Sequence, residues 1–456
     1  MSTFQAVVAL AGSTPIPGTL VLVPEQNLRS GIQDFGARYP DYTSLEVDVL
    51  RIASAIYACD LAFKRGEREQ ITRSIELHIP VVNHSVFQSV KQDLELLLLT
   101  LSHDNWTLNF VRTDGPPEPR RSWPKSPGAT LLFSGGVDSF AGAIDLLSER
   151  GLDAVQLASH VTANPVVRQS QQDLAAYLAS AFAGSLQRIS VRTGARKKPP
   201  YDFPSDADRE ETQRTRSFTF LAIAALAARR TGHNELIVMA ENGQMAIHIP
   251  LCAARVGAFS THTAHPEFVV QAKAFFSTVL DFNFTVTNPY LYNTKAEVVS
   301  RIAGAHSQAL NQSVSCWRGA RVSSLNHCGE CVPCLVRRIA FEFNSIVLPE
   351  YKRDLLSQDI SALGENDEGK RNLVDIAEFS HAFLSMSDAE LEMMFPDLIN
   401  PEIDKTSAIA MYRRFSSEAR AVLTKYPGVS MILPALPGGP PSPPSNRRPR
   451  VKGKGV

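Results

Sequence analysis

The chain has 456 residues, which exceeds one ordinary domain and leaves room for a catalytic domain of roughly 200 residues plus additions. Its 46 Lys+Arg balance its 46 Asp+Glu, which excludes a globally basic nucleic-acid binder. The apolar runs are too short for a membrane span, and residues 1–24 lack the positive segment of a secretory signal. We therefore expect a soluble, cytoplasmic protein.

The first 125 residues mix helical and strand patterns. Residues 45–63 carry apolar side chains at helical spacing, whereas 75–82 and 106–111 alternate as strands do. These patterns predict an α+β accessory domain over residues 1–125. The segment 115–128 contains five prolines, which suits a domain boundary.

From residue 129 the pattern changes to repeated strand, turn and helix. Predicted strands at 130–133, 153–157, 187–191 and 235–239 are separated by helical segments. This alternation predicts an α/β fold with a doubly wound parallel sheet over residues 129–345. Helical patterns follow at 346–430, and the proline-rich basic tail at 433–456 is expected to be disordered.

A glycine-containing loop follows the first strand of this domain. It consists of Ser134, Gly135, Gly136, Val137, Asp138 and Ser139. Glycines allow backbone N–H groups to converge on phosphate, and the helix that begins here presents its positive end. Asp138 could hold Mg²⁺ or orient the loop. The loop is neither the dinucleotide motif GxGxxG nor a Walker loop, and a plain strand-to-helix turn is the alternative interpretation.

Four of the six cysteines are clustered near residue 325, and they are Cys316, Cys328, Cys331 and Cys334. CxxC spacing brings thiolates to one tetrahedral centre, which predicts a closed structural Zn²⁺ site. An iron–sulfur cluster is the competing interpretation. Cys59 and Cys252 are isolated, and we interpret them as small core residues.

These motifs together resemble a known enzyme family. The hexapeptide SGGVDS is similar to the loop of the PP-loop ATP pyrophosphatases, and Ser315-Cys316 with CGECVPCLVR at 328–337 resembles 7-cyano-7-deazaguanine synthase. Thr294-Lys295 followed by Glu297 looks like a further segment of that family. The resemblance extends over about residues 130–342. It implies ATP as substrate, a zinc-binding cluster and AMP-forming activation of 7-carboxy-7-deazaguanine. Lys295 could neutralise phosphate or carboxylate charge during adenylation, and a surface lysine at the start of a helix is the alternative.

The sequence departs from the family between these motifs. Arg216-Ser217 stands where the family has Arg-Asn, and Arg216 is our candidate catalytic residue there, with Arg214 as a second choice. Solvated arginines at the start of a helix are the alternative interpretation. Glu241 and Asn242 follow a predicted strand, so either side chain could meet a base edge or ribose, and a plain turn is the alternative.

A second departure concerns the segment that reads THTAHPEF at 261–268. It lacks the family's acidic residue with its neighbouring cysteine and arginine. This departure leaves the substrate and the amine acceptor open. His262 and His265 could act as acid/base or metal groups, although loop histidines without such a role are the alternative.

The resemblance implies ATP-dependent amidation of a 7-deazaguanine carboxylate. The long N-terminal extension and the altered segment look like an enlarged branch associated with antiphage defence, which implies joining the carboxylate to an amine of a partner protein. The alternatives are 7-cyano-7-deazaguanine synthase proper, with ammonia as acceptor, and a non-catalytic nucleotide sensor or scaffold. Transfer RNA thiolation ranks lower because Cys59 and Cys252 show no catalytic pairing. We expect neither a membrane nor a nucleic acid to be the direct partner.

Overall fold

A computed structural model of the protein describes residues 3–434, apart from 10–11, 67–71, 117, 119–122, 124, 163, 234–236, 248, 251–263 and 319–325. The predicted disordered tail lies outside the described residues from position 435 onward. Within the described ranges, none of the helices combines the length and the apolar character needed to span a bilayer. Parallel sheets flanked by helices confirm the predicted α/β class.

The N-terminal part contains strands and helices in mixed order. They are β1 (Thr3–Val8), β2 (Thr19–Leu22), β3 (Leu28–Arg29), α1 (Ile32–Arg38), α2 (Ser44–Ala62), β4 (Ser74–Val81), α3 (His84–Ser89), α4 (Lys91–Ser102) and β5 (Asn105–Arg112). Helix α2 begins with a capping box, in which Thr43 Oγ1 accepts the Glu46 N–H at 3.4 Å and the Glu46 carboxylate accepts the Thr43 N–H at 2.8 Å.

The N-terminal sheet is parallel throughout, with the strand order β2-β1-β4-β5. This arrangement is α/β and corrects the prediction of an α+β extension. The alternation in β4 is as predicted, since Ile75, Leu77, Ile79 and Val81 are buried while the residues between them are partly exposed. Alternation reveals which face of a strand is buried but not the direction of its neighbours, so the sequence pattern left the strand direction open.

The catalytic segment, our name for residues 129–345 after their predicted role, follows the predicted order of strands and helices. Its elements are β6 (Ala129–Leu132), α5 (Val137–Arg150), β7 (Val155–Val161), α6 (Pro165–Ala181), β8 (Gln187–Arg192), β9 (Gly194–Ala195), α7 (Arg216–Thr231), β10 (Ile237–Val238), α8 (Gly243–Ala246), α9 (Pro266–Leu280), β11 (Val286–Thr287), α10 (Lys295–Ser300), α11 (Ser307–Leu310) and α12 (Val332–Phe343). The central sheet is parallel with the order β11-β10-β6-β7-β8. Every residue of β6 and β7 is buried, as expected for strands covered on both faces.

Helix α7 joins the N-terminal part to the central sheet. It is apolar around most of its circumference, and it packs against β6 and β7 on one side and against α2 on the other. One continuous hydrophobic core contains Ile56 and Leu97 from the N-terminal part together with Leu221 and Phe276 from the catalytic segment. Strand β3 also pairs antiparallel with β9. The N-terminal part is therefore packed as a layer of the catalytic fold.

The C-terminal helices pack against the end of the catalytic segment. They are α13 (Glu368–Ser385), α14 (Asp388–Met394), α15 (Lys405–Leu423) and α16 (Pro427–Ser430). Their apolar faces share a core with α12 and with Ile247 and Ile249. Helix α15 contacts α8, α10 and α12, so it lies behind the segments that follow β10 and β11.

Candidate active site and metal centre

The glycine loop connects β6 to α5 and is held by its own backbone and by two neighbouring segments. Gly135 has a φ of 84°, in the left-handed region that favours glycine. Its carbonyl oxygen accepts a hydrogen bond from Ser170 Oγ at 2.8 Å and from the Val314 N–H at 3.0 Å. The loop is thus a fixed turn whose conformation depends on residues far away in the sequence.

The two serines of the loop stabilise the turn. Ser139 Oγ accepts the Ser134 N–H at 3.2 Å and donates to the Gly136 carbonyl at 3.1 Å. Ser134 Oγ accepts the Gly136 N–H at 3.3 Å. Val137 packs its side chain into the core below α5. The backbone N–H groups of the first helical turn have no partner within the helix, so they are available to an anion above the loop.

Asp138, Lys295 and Asn242 meet at the crevice between β6 and β10. Asp138 Oδ2 accepts hydrogen bonds from Lys295 Nζ at 2.7 Å and from Asn242 Nδ2 at 2.9 Å. The Asp138 and Lys295 side chains are only 11% and 10% exposed. Since the chain runs from β6 to β7 on one side while β10 lies on the other, this crevice is the topological switch point where open α/β sheets bind ligands.

The segments that carry Asn242 and Lys295 are locked together. The Lys295 N–H donates to Gln244 Oε1 at 2.5 Å. A capping box starts α10, with the Glu297 N–H donating to Thr294 Oγ1 at 3.1 Å and the Thr294 N–H donating to Glu297 Oε2 at 2.8 Å. A Cβ atom on Gly243 would lie 2.1 Å from the carbonyl oxygen of Leu291, so only glycine allows this close approach.

Three polar atoms in this cluster are buried without a hydrogen-bond partner among the described residues. They are Asp138 Oδ1, Asn242 Oδ1 and Gln244 Nε2. A buried, unsatisfied polar group costs about 1–3 kcal/mol, and such groups in native proteins usually have a ligand, an ion or water as partner. The two oxygens are hard donors of the kind Mg²⁺ prefers, and the amide is a donor that suits a phosphate or ribose oxygen. The cluster therefore fits a magnesium–nucleotide complex.

The structure also gives contacts for Glu241, Arg216 and Arg214, the other residues considered for the site. Glu241 uses its backbone, because its N–H donates to Asn288 Oδ1 at 3.1 Å and its carbonyl accepts from Asn288 Nδ2 at 2.8 Å. Arg216 is exposed at the start of α7, with its guanidinium 6.0 Å from the Phe220 ring centroid. Its Nη1 also donates to Gln213 Oε1 at 3.4 Å, in the segment just before α7. Arg214 donates to the Ser102 carbonyl at 2.8 Å and so faces the N-terminal part.

The histidine pair singled out in the sequence is only partly described. His262 lies outside the described residues. His265 is the N-cap of α9, where its Nδ1 accepts the Glu267 N–H at 3.3 Å. Burial lowers the pKa of His265, which keeps the ring in the neutral form that capping requires. The capping bond gives His265 a structural role.

The four clustered cysteines form a compact buried group. Their sulfur atoms all lie within 4.8 Å of one another, with Cys328 and Cys334 3.9 Å apart and Cys316 and Cys331 4.0 Å apart. Tetrahedral Zn–S bonds of about 2.3 Å place sulfurs roughly 3.8 Å apart. Hydrogen bonds among the thiols, led by that from Cys316, hold the pKa of Cys328 well below its usual range, whereas burial raises that of Cys331. The site fits zinc, since a cation between the sulfurs removes the repulsion among four thiolates.

Arg337 connects the cysteine cluster to the glycine loop. The side chain is fully buried on α12 and donates to Ser313 Oγ and to the Leu310 carbonyl, each at 2.8 Å. The segment it holds includes Val314, whose N–H donates to Gly135. Cys316 follows two residues later. A metal that fixes Cys316 thereby also supports the glycine loop.

Two site residues had no signal in the sequence. Gln244 lies two residues after the predicted pair Glu241-Asn242, but an amide without a motif cannot be distinguished from a surface residue. Glu418 on α15 is buried and bonds to Thr294, and only the packing of the C-terminal helices reveals it. By contrast, the pattern Thr-Lys-Ala-Glu at 294–297 already indicates a capping box.

Residues 128–345 match the family model for the queuosine biosynthesis protein QueC. The match includes Asp138, Lys295 and the four clustered cysteines, and it confirms the predicted resemblance to the 7-cyano-7-deazaguanine synthase family. It implies an ATP-dependent enzyme of the ligase type. No curated protein shows a significant match to the chain.

Proposed function

We propose that this protein uses ATP to activate the carboxylate of a 7-carboxy-7-deazaguanine-like molecule and then transfers the acyl group to an amine. The observation that carries the proposal is the cluster of Asp138, Lys295 and Asn242 at the switch point of the sheet, beside the glycine loop and within the segment that resembles QueC. The resemblance suggests the substrate class, and the buried unpaired atoms of the cluster would bind phosphate and metal in this proposal.

The reaction divides into two steps. In the first, a carboxylate oxygen attacks the α-phosphorus of ATP, and pyrophosphate leaves with the electron pair of the broken P–O bond. In the second, an amine nitrogen attacks the acyl carbon, AMP leaves, and the nitrogen loses a proton to solvent. Lys295 and the N–H groups at the start of α5 would stabilise the charge that develops on pyrophosphate. When bound through Asp138 Oδ1 and Asn242 Oδ1, Mg²⁺ would neutralise phosphate charge.

The acceptor in this proposal is an amine of a partner protein. Two features support it, namely the altered sequence at 261–268 and the N-terminal part that shares a core with the catalytic segment. At both places the chain departs from the family pattern or extends beyond it. The proposed role in antiphage defence depends on the same two features. Ammonia as acceptor, with formation of the nitrile, is the second outcome that the experiment distinguishes.

The test is carboxylate-dependent exchange of labelled pyrophosphate into ATP by the purified full chain. Wild-type protein should show exchange with 7-carboxy-7-deazaguanine, and Asp138→Asn should lose it. Asp153→Asn is the matched control, because Asp153 is an exposed aspartate elsewhere in the same domain. Absence of exchange in the wild type would favour the non-catalytic sensor.

The acceptor is identified separately by mass spectrometry. Proteins encoded near the gene are co-expressed with the enzyme, and the expected result is that one of them gains the mass of 7-carboxy-7-deazaguanine minus one water. Free nitrile in the presence of ammonium, with every co-expressed protein unchanged in mass, would contradict the protein acceptor and support the synthase reaction.

A further inference from the structure

The C-terminal helix α15 reaches the residue that precedes the active-site lysine. Thr294 Oγ1 caps α10 by accepting the Glu297 N–H at 3.1 Å. Its hydroxyl proton is donated to Glu418 Oε1 on α15 at 2.7 Å. Because Lys295 is the first residue of α10, the Thr294–Glu418 bond fixes the point from which the Lys295 side chain extends toward Asp138.

Glu418 is an unusual residue for its position. It is only 6% exposed, and its Oε2 atom has no hydrogen-bond partner among the described residues. The charged groups that face it are Glu297 and Arg414, which pair with each other at 2.6 Å. Burying a carboxyl group in this way costs stability unless a specific bond offsets it. The bond that Glu418 makes is the one to Thr294.

Helix α15 supports the other side of the cluster as well. Met411 lies against Gly243, the residue after Asn242, such that a Cβ on Gly243 would approach Met411 Cε to 2.8 Å. Arg414 donates to the Tyr292 carbonyl at 2.7 Å. The same helix therefore backs the segment that carries Asn242 and the segment that carries Lys295. It begins 60 residues beyond the end of the family match at 345.

We propose that Glu418 is a positioning residue that holds Lys295 in place through Thr294, so that the C-terminal helices form part of the ATP site. This inference rests on the proposed function for its kinetic consequence, but its structural consequence is independent of it. Removing the carboxyl group frees the hydroxyl of Thr294 and loosens the first turn of α10. Replacing it with an amide keeps an oxygen that accepts the same bond.

The test compares Glu418→Ala, Glu418→Gln and the control Ser416→Ala. Ser416 is buried on the same helix, and its hydroxyl bonds only within that helix among the described contacts, so it reports on general damage to α15. In pyrophosphate exchange, Glu418→Ala should lower kcat roughly tenfold with KM for ATP changed less than about twofold, since the lysine contact is strongest in the transition state. Glu418→Gln should restore most of kcat, and Ser416→Ala should match the wild type.

Hydrogen exchange of the peptide spanning 292–300 gives a readout that does not need catalysis. Glu418→Ala should speed exchange in this peptide, whereas Glu418→Gln and Ser416→Ala should leave it unchanged. If hydrogen exchange in this peptide is as slow in Glu418→Ala as in the wild type, the positioning role is overturned, even if the enzyme is active. The role would also be overturned if Glu418→Gln failed to restore the kcat lost in Glu418→Ala. The same holds if kcat and Tm fell together in all three variants. If the wild type is inactive but the variants show the expected hydrogen-exchange pattern, the proposed function is rejected and the positioning role stands.

Discussion

Lys295 Nζ lies 2.7 Å from Asp138 Oδ2, although 157 positions separate the two residues in the sequence. Both side chains are largely shielded from water, so their attraction is stronger than that of a surface ion pair. The pair joins the glycine loop after β6 to the helix after β11. It brings the positive charge of Lys295 to the mouth of the loop where phosphate is expected.

Replacing Lys295 with methionine should abolish most of the adenylation activity. The substitution keeps the length of the side chain but removes the charge that would meet pyrophosphate, and we expect exchange to fall roughly 100-fold or more. Lys273→Met is the matched control, because Lys273 is exposed on α9. If the two variants have equal pyrophosphate-exchange activity, Lys295 has no role in adenylation.

Removal of one cysteine ligand should release the metal. We expect Cys331→Ser to bind substoichiometric zinc, measured by elemental analysis, and to lose pyrophosphate exchange because Cys316 and the bonded segment at 313–314 would no longer hold the glycine loop. Cys59→Ala should keep its zinc, since Cys59 lies in the core away from the cluster. Iron with visible absorbance in the wild type would instead identify an iron–sulfur cluster.

Asp60 should be important for the attachment of the N-terminal part. It is fully buried and accepts hydrogen bonds from Arg73 Nη2 at 2.6 Å and from the Thr215 N–H at 2.8 Å, which ties α2 to the residue that precedes α7. Breaking a buried pair costs about 3–5 kcal/mol, so Asp60→Asn should lower the free energy of unfolding by about 3 kcal/mol in urea denaturation. Asp206→Asn is the control, because the Asp206 side chain is 92% exposed, and a comparable loss there would contradict this reasoning.

The free energy of unfolding should depend on pH through the buried carboxyl group of Glu418. Burial raises the pKa of its carboxyl from 4.5 to about 7 in the folded protein. Between these two pH values the unfolded chain releases the proton while the folded chain keeps it, so this group's contribution to stability falls as pH rises and is constant above about pH 7. The total loss is about 3 kcal/mol.

Glu418→Gln removes this titration. The free energy of unfolding of Glu418→Gln should therefore rise relative to wild type by up to about 3 kcal/mol between about pH 5 and pH 8. Ser416→Ala should follow the wild-type curve. Parallel curves for wild type and Glu418→Gln would show that the carboxyl is not protonated in the folded protein near neutral pH.

Substitution of Arg216 should weaken binding of the carboxylate substrate more than binding of ATP. Its side chain is exposed, and its guanidinium contacts Gln213 before α7 and the Phe220 ring on α7. If it binds the substrate carboxylate, Arg216→Ala should raise KM for that substrate roughly tenfold and leave KM for ATP within about twofold. Arg209→Ala is the control, since Arg209 pairs with exposed Asp206. Unchanged KM values would exclude Arg216 from the substrate site.

The features that the sequence determined by itself are those built from neighbouring residues. The turn at Gly135, the CxxC spacing of Cys328 and Cys331, the capping box at Thr294 and the alternation in β4 each follow from backbone geometry over a few positions. Such patterns are legible because the interacting groups are adjacent in the chain.

The tertiary structure alone decided how these parts meet. It brings Lys295 to Asp138, places Glu418 beside Thr294, and merges the parallel N-terminal sheet with the catalytic core. These relationships depend on which apolar faces pack together across more than a hundred residues. The apolar stripe of a helix such as α7 or α15 does not indicate which element it packs against. The physical reason is that hydrophobic burial is non-directional, so sequence patterns specify local geometry while the partners are chosen by the packing of the whole chain.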